Sequence, residues 1–120
     1  SCGCSISQHA ALAALALDPS AVETMVAAYR ERRDLAHGVL SDRGVRAFRP
    51  QGAFYMWIDI AESGRSSDDF ARSLITEARV AVAPGATFGP GSDRWIRISL
   101  ANSLEVIEAG CTRIADFLGR

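Results

Sequence analysis

The segment Trp95–Leu100, WIRISL, sets one arginine inside a run of strand-forming residues. Strand alternation sends Ile96, Ile98 and Leu100 to one face and Trp95, Arg97 and Ser99 to the other. A guanidinium on a rigid strand offers a planar fork of N–H donors. That fork grips a carboxylate or a phosphate through two parallel hydrogen bonds. The same alternation also describes an ordinary half-exposed strand whose arginine faces water. A second candidate is PGATFGPGS, Pro84 to Ser92, with three Gly and two Pro. Its backbone amides could cradle an anion. It matches neither the dinucleotide fingerprint nor the phosphate loop, and no helix opens directly after it, so a multi-turn loop is the plainer reading.

The remaining polar residues point to less. Asp68 and Asp69 are paired carboxylates, but they fall in the first turn of a predicted helix, where the helix dipole accounts for them. Asp59 is the one acid inside the apolar run AFYMWIDI. It either orients another polar group or marks the exposed end of a strand. The Tyr55 hydroxyl could point into a site, although a buried Tyr with a satisfied hydroxyl is commoner. His9 and His37 sit in no nucleophile motif and lie at no metal-ligand spacing with Cys2, Cys4 or Cys111, so no metal site is expected. An odd cysteine count argues against a disulfide framework and fits a reducing cytosol, with two exposed N-terminal thiols and one buried thiol.

Composition excludes more than it suggests. All 13 basic residues are Arg. Chemistry that needs a lysine amine, including imine formation with a carbonyl, is therefore closed to these residues alone. A net charge of −1 lacks the footprint of a dedicated nucleic-acid binder. No apolar run approaches the roughly 20 residues of a membrane span. The N-terminus SCGCSISQHA has no secretory-signal pattern.

The elements that must position Arg97 follow from periodicity. Gln8–Leu17, QHAALAALAL, reads as a short helix that is nearly all apolar and must be buried on most sides. Asp18-Pro19 caps a long helix reaching about Asp42 and ended by Gly44. Its apolar face runs through Val22, Met25, Val26, Tyr29, Ala36, Val39 and Leu40, with Glu31, Arg32 and Asp34 on the solvated side. Val45–Phe48 reads as a short strand, and Pro50-Gln51-Gly52 as a turn. Ala53–Ile60 is a central strand with both faces largely covered. Ser66 and Asp69 open a helix to about Ala78, facing inward through Phe70, Leu74 and Ile75. Val80–Val82 and Trp95–Leu100 are strands. Asn102 and Glu105 cap a last helix carrying Leu104, Ile107, Cys111, Ile114 and Leu118 on one side. The order α-α-β-β-α-β-β-α is an α+β layer architecture, a small sheet packed with helices.

Five segments in order, SISQHAALAAL, a long helix with YRERRD, PQGAFYMWIDI, VAVAPGATFG and WIRISLA, resemble the C-terminal part of class I/II aminotransferases. These are fold-type I, pyridoxal-phosphate-dependent enzymes, and the aspartate aminotransferase group is the nearest type. The resemblance implies the small domain of that family over residues 19–120, with residues 1–18 as a leading helix bordering a large domain that is missing here. It puts the family's substrate α-carboxylate arginine at Arg97 and sets Gly52, Ala53, Phe54 and Tyr55 beside the site. The loop from Pro84 to Gly89 then lies near the same mouth. It further implies a cytoplasmic homodimer in the full-length form. Pyridoxal phosphate is expected in that parent, and none on this chain, which has no lysine and should not be catalytic by itself. Partners would be the large domain and an amino-acid or 2-oxo-acid substrate, with no nucleic acid and no membrane. Three other readings are a ligand-sensing aminotransferase-like domain of a regulator, a stand-alone α+β binding module, and a split enzyme with its large domain on a second polypeptide.

Overall fold

The computed structural model describes residues 3–119. The elements run α1 (Ser5–Leu15), α2 (Ser20–Ser41), β1 (Ala47–Phe48), β2 (Tyr55–Asp59), α3 (Ser67–Ser73), β3 (Ala83–Pro84), β4 (Trp95–Ser99) and α4 (Leu104–Leu118). The expected order therefore holds. The four strands form one antiparallel sheet in the order β1-β2-β4-β3, so β2 and β4 are its inner strands. One sheet face, through Met56, Ile58 and Ile96, joins Ala36 and Leu40 of α2, Phe70 of α3, and Ile107, Cys111, Ile114 and Phe117 of α4 in a single core. Helices thus cover one face, and the other face is left to its own side chains.

Several helix ends are set as their residues suggest. Asp18 Oδ1 accepts the Ser20 N–H at 2.8 Å, and Pro19 precedes the first regular turn of α2. At the other end, Gly44 sits at φ +76°, a backbone shape that L side chains rarely adopt. There the Val45 N–H bonds to Leu40 O at 3.0 Å and the Gly44 N–H to Ser41 O at 2.9 Å, the paired closure of a Schellman end. Ser66 Oγ accepts the Asp69 N–H at 3.2 Å and donates to Asp69 Oδ2 at 2.9 Å, which opens α3.

Other expectations shift. The first helix is Ser5–Leu15 and has no buried residue; Ile6, Leu12 and Leu15 are 78%, 68% and 86% exposed. Among the described residues, nothing covers this helix enough to bury any of its side chains. The first half of the α2 face, with Val22, Met25 and Val26, is likewise exposed, and full burial is reached only further along, at Ala36 and Leu40, where the helix joins the core. The central strand starts at Tyr55 rather than Ala53, because Ala53 adopts φ +60° and breaks the extended run. Its two faces differ: Met56 and Ile58 are buried, while Tyr55 and Trp57 are half-buried. After Ser73 the helix widens into a π-type turn over Leu74–Ala78. The changed winding keeps Leu74 fully buried but leaves Ile75 49% exposed. The strand expected at Val80–Val82 forms instead at Ala83–Pro84, where Pro84 is tolerated because β3 is an edge strand. The last helix is capped by Ser103, whose Oγ accepts the Val106 N–H at 3.4 Å, and not by Asn102. Among the described residues, no single helix is long and apolar enough to cross a membrane.

The π-type turn makes a direct prediction. Leu74→Ala should lower the unfolding free energy by about 2–5 kcal/mol, as a fully buried leucine does. Ile75→Ala should cost roughly 1 kcal/mol or less, because the residue is half outside the core. Urea denaturation of the two variants checks the difference; equal losses would place Ile75 in the core.

Candidate functional site

Arg97 lies mid-strand in β4, paired across the sheet with Trp57 of β2 and Ala83 of β3. Alternation puts Ile96 in the core and turns Arg97 to the helix-free face, as the sequence pattern requires. It does not face bare water there. The guanidinium carbon lies 4.0 Å from the centre of the Tyr55 ring and 4.0 Å from the centre of the Phe88 ring. Two aromatic faces flank the cation, and each attracts it through its ring quadrupole. Among the described residues, no carboxylate or carbonyl takes a hydrogen bond from its N–H groups. The fork is fixed in place with its donors uncommitted.

The flanking rings extend into a row. Phe54 packs on Tyr55 with ring centres 4.4 Å apart, and Tyr29 of α2 stacks on Phe54 at 5.8 Å. On the other side Phe88 meets Trp57 edge-to-face at 5.3 Å. Phe54 and Phe88 come from loops and remain 38% and 42% exposed, so the row is a surface feature built on a sheet. Of the residues singled out from sequence, Arg97, Tyr55 and Phe54 are brought together, and the PGATFG loop joins them through Phe88. Gly52 and Ala53 stand one step away. They line a cleft of about 390 Å³ with Tyr29, Arg30, Gln51 and Phe54. Arg97 lines neither that cleft nor the groove of about 450 Å³ between α4 and residues 79–81. Its donors stand on an open face.

The loop that carries Phe54 is braced from α2. Arg33 donates through Nε to Asp34 Oδ1 at 2.8 Å and through Nη1 to Pro50 O at 3.4 Å. Arg49 Nη2 reaches the same Asp34 oxygen at 2.7 Å. Asp34 stays on the solvated side, as expected, and there it also clasps the helix to the loop. These bonds, Arg33 first and Arg49 second, hold the Asp34 carboxyl down to about 2.

Asp59 orients other groups rather than marking an exposed strand end. It is 9% exposed, accepts the Ala61 N–H at 3.0 Å, and pairs with Arg94 and, at 3.6 Å, with Arg46. Burial raises its carboxyl, but the Arg94 hydrogen bond and the Ala61 amide outweigh that, and it stays below the ordinary value. Its arginines are thereby engaged, unlike Arg97. His37 only meets Ser41 one turn along α2, at 3.3 Å. Among the described residues, no three His, Cys, Asp or Glu side chains are grouped to hold a metal. Cys4 is exposed and burial pushes the Cys111 thiol up to about 11; Cys2 lies outside the described residues. Sequence reasoning did not single out Phe88, Trp57 or Tyr29 for the site. An aromatic inside a Gly/Pro-rich loop is the one signal that pointed to Phe88.

Comparison with known proteins matches residues 1–114 to the family model of aminotransferase class I and II. The chain is 37% identical over 119 residues to an aromatic-amino-acid aminotransferase of Thermococcus litoralis, covering 98% of this chain and 31% of that protein. It is 36% identical over 119 residues to an aspartate aminotransferase of Pyrococcus abyssi, with 98% and 31% covered. The crystal structure of an aspartate aminotransferase from Thermotoga maritima superposes with a TM-score of 0.87 at 33% identity, covering 100% of this chain and 30% of that one. The chain thus spans 31% of the length of these two curated relatives.

The Asp34 clasp carries a pH signature. A depressed carboxyl favours the ionised form in the fold, so its contribution is complete above the ordinary value of 3.8 and fades as pH falls towards about 2. Proton titration followed by NMR should place Asp34 near 2, and Arg49→Ala should move it up towards 3.8. An unchanged titration in Arg49→Ala would show that Arg49 takes no part.

Proposed function

The chain belongs to the class I and II aminotransferase family, and we propose that it supplies the carboxylate grip of a pyridoxal-phosphate-dependent aminotransferase. Such an enzyme moves an amino group between an amino acid and a 2-oxo acid. The observation that carries the proposal is the Arg97 guanidinium, held between Tyr55 and Phe88 with its donors unclaimed. A carboxylate entering that face meets two parallel charge-assisted hydrogen bonds and is fixed in plane as well as in place. The ring walls displace water from both sides of the guanidinium, which strengthens the attraction. A substrate fixed by its carboxylate has its α-carbon and amine aimed in one direction, which removes orientational freedom before any bond changes. Gly52, Ala53, Phe54 and Tyr55 shape the adjoining wall on this reading.

Pyridoxal phosphate, when bound, supplies the aldehyde and the electron sink for chemistry at the α-carbon. The residues present do not fit it, because none of the 13 basic side chains is a lysine. No step is assigned to it on this chain. On this reading residues 19–120 are the small domain of a longer, cytoplasmic, homodimeric enzyme, and a lysine-bearing large domain holds the cofactor. Residues 1–18 then border that domain, which agrees with α1 showing its apolar side chains on every face. A free-standing binding module would have no use for such a helix.

In the full-length enzyme, Arg97→Ala should lower kcat/KM for the amino-acid substrate by ~10²-fold or more, as loss of two charge-assisted bonds implies. Arg97→Lys should not restore it, since an ammonium is a point charge without the fork. Steady-state kinetics reads both, and kcat/KM unchanged within about twofold would remove the proposal. The purified 120-residue chain with added pyridoxal phosphate should show no transamination; measurable turnover would contradict the need for an outside lysine.

A further inference from the structure

The loop that lays Phe88 on Arg97 is tied down at a buried polar knot that lies outside the ring of groups around the guanidinium. Ser67, in the first turn of α3, is fully buried. Its backbone N–H and its hydroxyl both donate to Asp93 Oδ1, each at 2.8 Å. The same Ser67 oxygen accepts the Ala86 N–H at 3.1 Å. The direction of the hydroxyl proton follows. A carboxylate can only accept, so the hydroxyl gives its hydrogen to Asp93 and keeps its lone pairs for Ala86. The two Ser67 bonds, backbone first, hold the Asp93 carboxyl below its ordinary value, which keeps it in the accepting form.

Ala86 belongs to the short helical turn Gly85–Phe88. Gly85 opens that turn under the strand entrance, where a Cβ would overlap the carbonyl oxygens of Ser92 and Trp95, so only glycine fits there without a shift. Thr87 closes the turn by donating to Pro84 O at 2.7 Å. Phe88 ends it. That ring is 42% exposed and touches Arg97 and, edge-to-face, Trp57, so side-chain packing alone holds it weakly. Its place over the guanidinium therefore depends on where the backbone at Ala86 is pinned.

We propose that Ser67 and Asp93 are positioning residues for carboxylate binding: by pinning the backbone at Ala86 they seat Phe88 against Arg97 and keep the guanidinium plane set for an incoming carboxylate. The proposal rests on Arg97 being the carboxylate grip. An arginine side chain without its second wall samples more rotamers, and binding must then order it.

The test uses the full-length enzyme and the affinity of 2-oxoglutarate, a 2-oxo acid with an α-carboxylate, read by calorimetric titration beside the melting temperature. Ser67→Ala and Asp93→Ala should each weaken binding by about 5- to 20-fold. Asp93→Asn keeps an accepting oxygen for both Ser67 donors and should stay within about twofold of the parent. In a Phe88→Ala background, Ser67→Ala should add less than about twofold, because the element it acts through is gone. Asp93 is exposed apart from the oxygen it turns inward, so its variants carry the test even where Ser67→Ala folds poorly. Unchanged affinity with a lowered melting temperature would make the knot a folding element only and overturn the proposal. So would a Ser67→Ala penalty that adds in full to that of Phe88→Ala. Weak binding in Arg97→Ala with normal binding in the Ser67 and Asp93 alanine variants removes this inference alone. Normal binding in Arg97→Ala removes the carboxylate grip and this inference with it.

Discussion

A guanidinium kept flat and uncommitted on the open face of a sheet is the condition on which the candidate site depends. Arg97 meets it because the rings of Tyr55 and Phe88 lie against it and its partners across the sheet, Trp57 and Ala83, are not acidic. The acids of this region are engaged elsewhere. Asp59 holds Arg94 and Arg46 at the far end of β2, and Asp34 holds Arg33 and Arg49 at the loop below α2. Had either carboxylate reached Arg97, the fork would be closed to a ligand. Aromatic walls solve the opposite problem, since they attract the cation by about 0.5–2 kcal/mol each and still leave every N–H free.

The rest of the fold works to place the two walls. Tyr55 is fixed by register, opposite Ser99 and two pairs along from Arg97, on the same face of the inner strands β2 and β4. Those strands are held by the core face of Met56, Ile58 and Ile96 against α2, α3 and α4. Phe88 has no such register, because it belongs to a loop, and it needs the buried bonds at Ser67 to locate it. Phe54 is an intermediate case. It follows Ala53, a non-glycine residue at φ +60°, and the Asp34 clasp holds the loop in which that strained backbone sits.

What could be read from sequence was what local patterns determine. The two-residue alternation of WIRISL put Arg97 opposite the core, and Asp18, Gly44 and Ser66 marked helix ends by chemistry that acts within a few residues. The same alternation left Arg97 open to two readings, a ligand grip or a solvated side chain. Family resemblance favoured the first, and the rings that now flank it could not be seen in the strand itself. Misplaced features share a non-local cause. The π-type turn after Ser73 and the shift of β3 to Ala83–Pro84 are set by what packs against and pairs with them. Ser67 and Asp93 lie 26 positions apart, and no periodicity links them. The apolar α1 announced a need for burial that nothing among the described residues meets.

The most direct measurement is a crystal structure of the full-length enzyme with a bound 2-oxo acid or amino acid. The account predicts both carboxylate oxygens on the Arg97 fork, with N–O distances of about 2.7–2.9 Å and the rings of Tyr55 and Phe88 still on either side. A carboxylate bound elsewhere, with Arg97 turned to an acid of the protein itself, would contradict it.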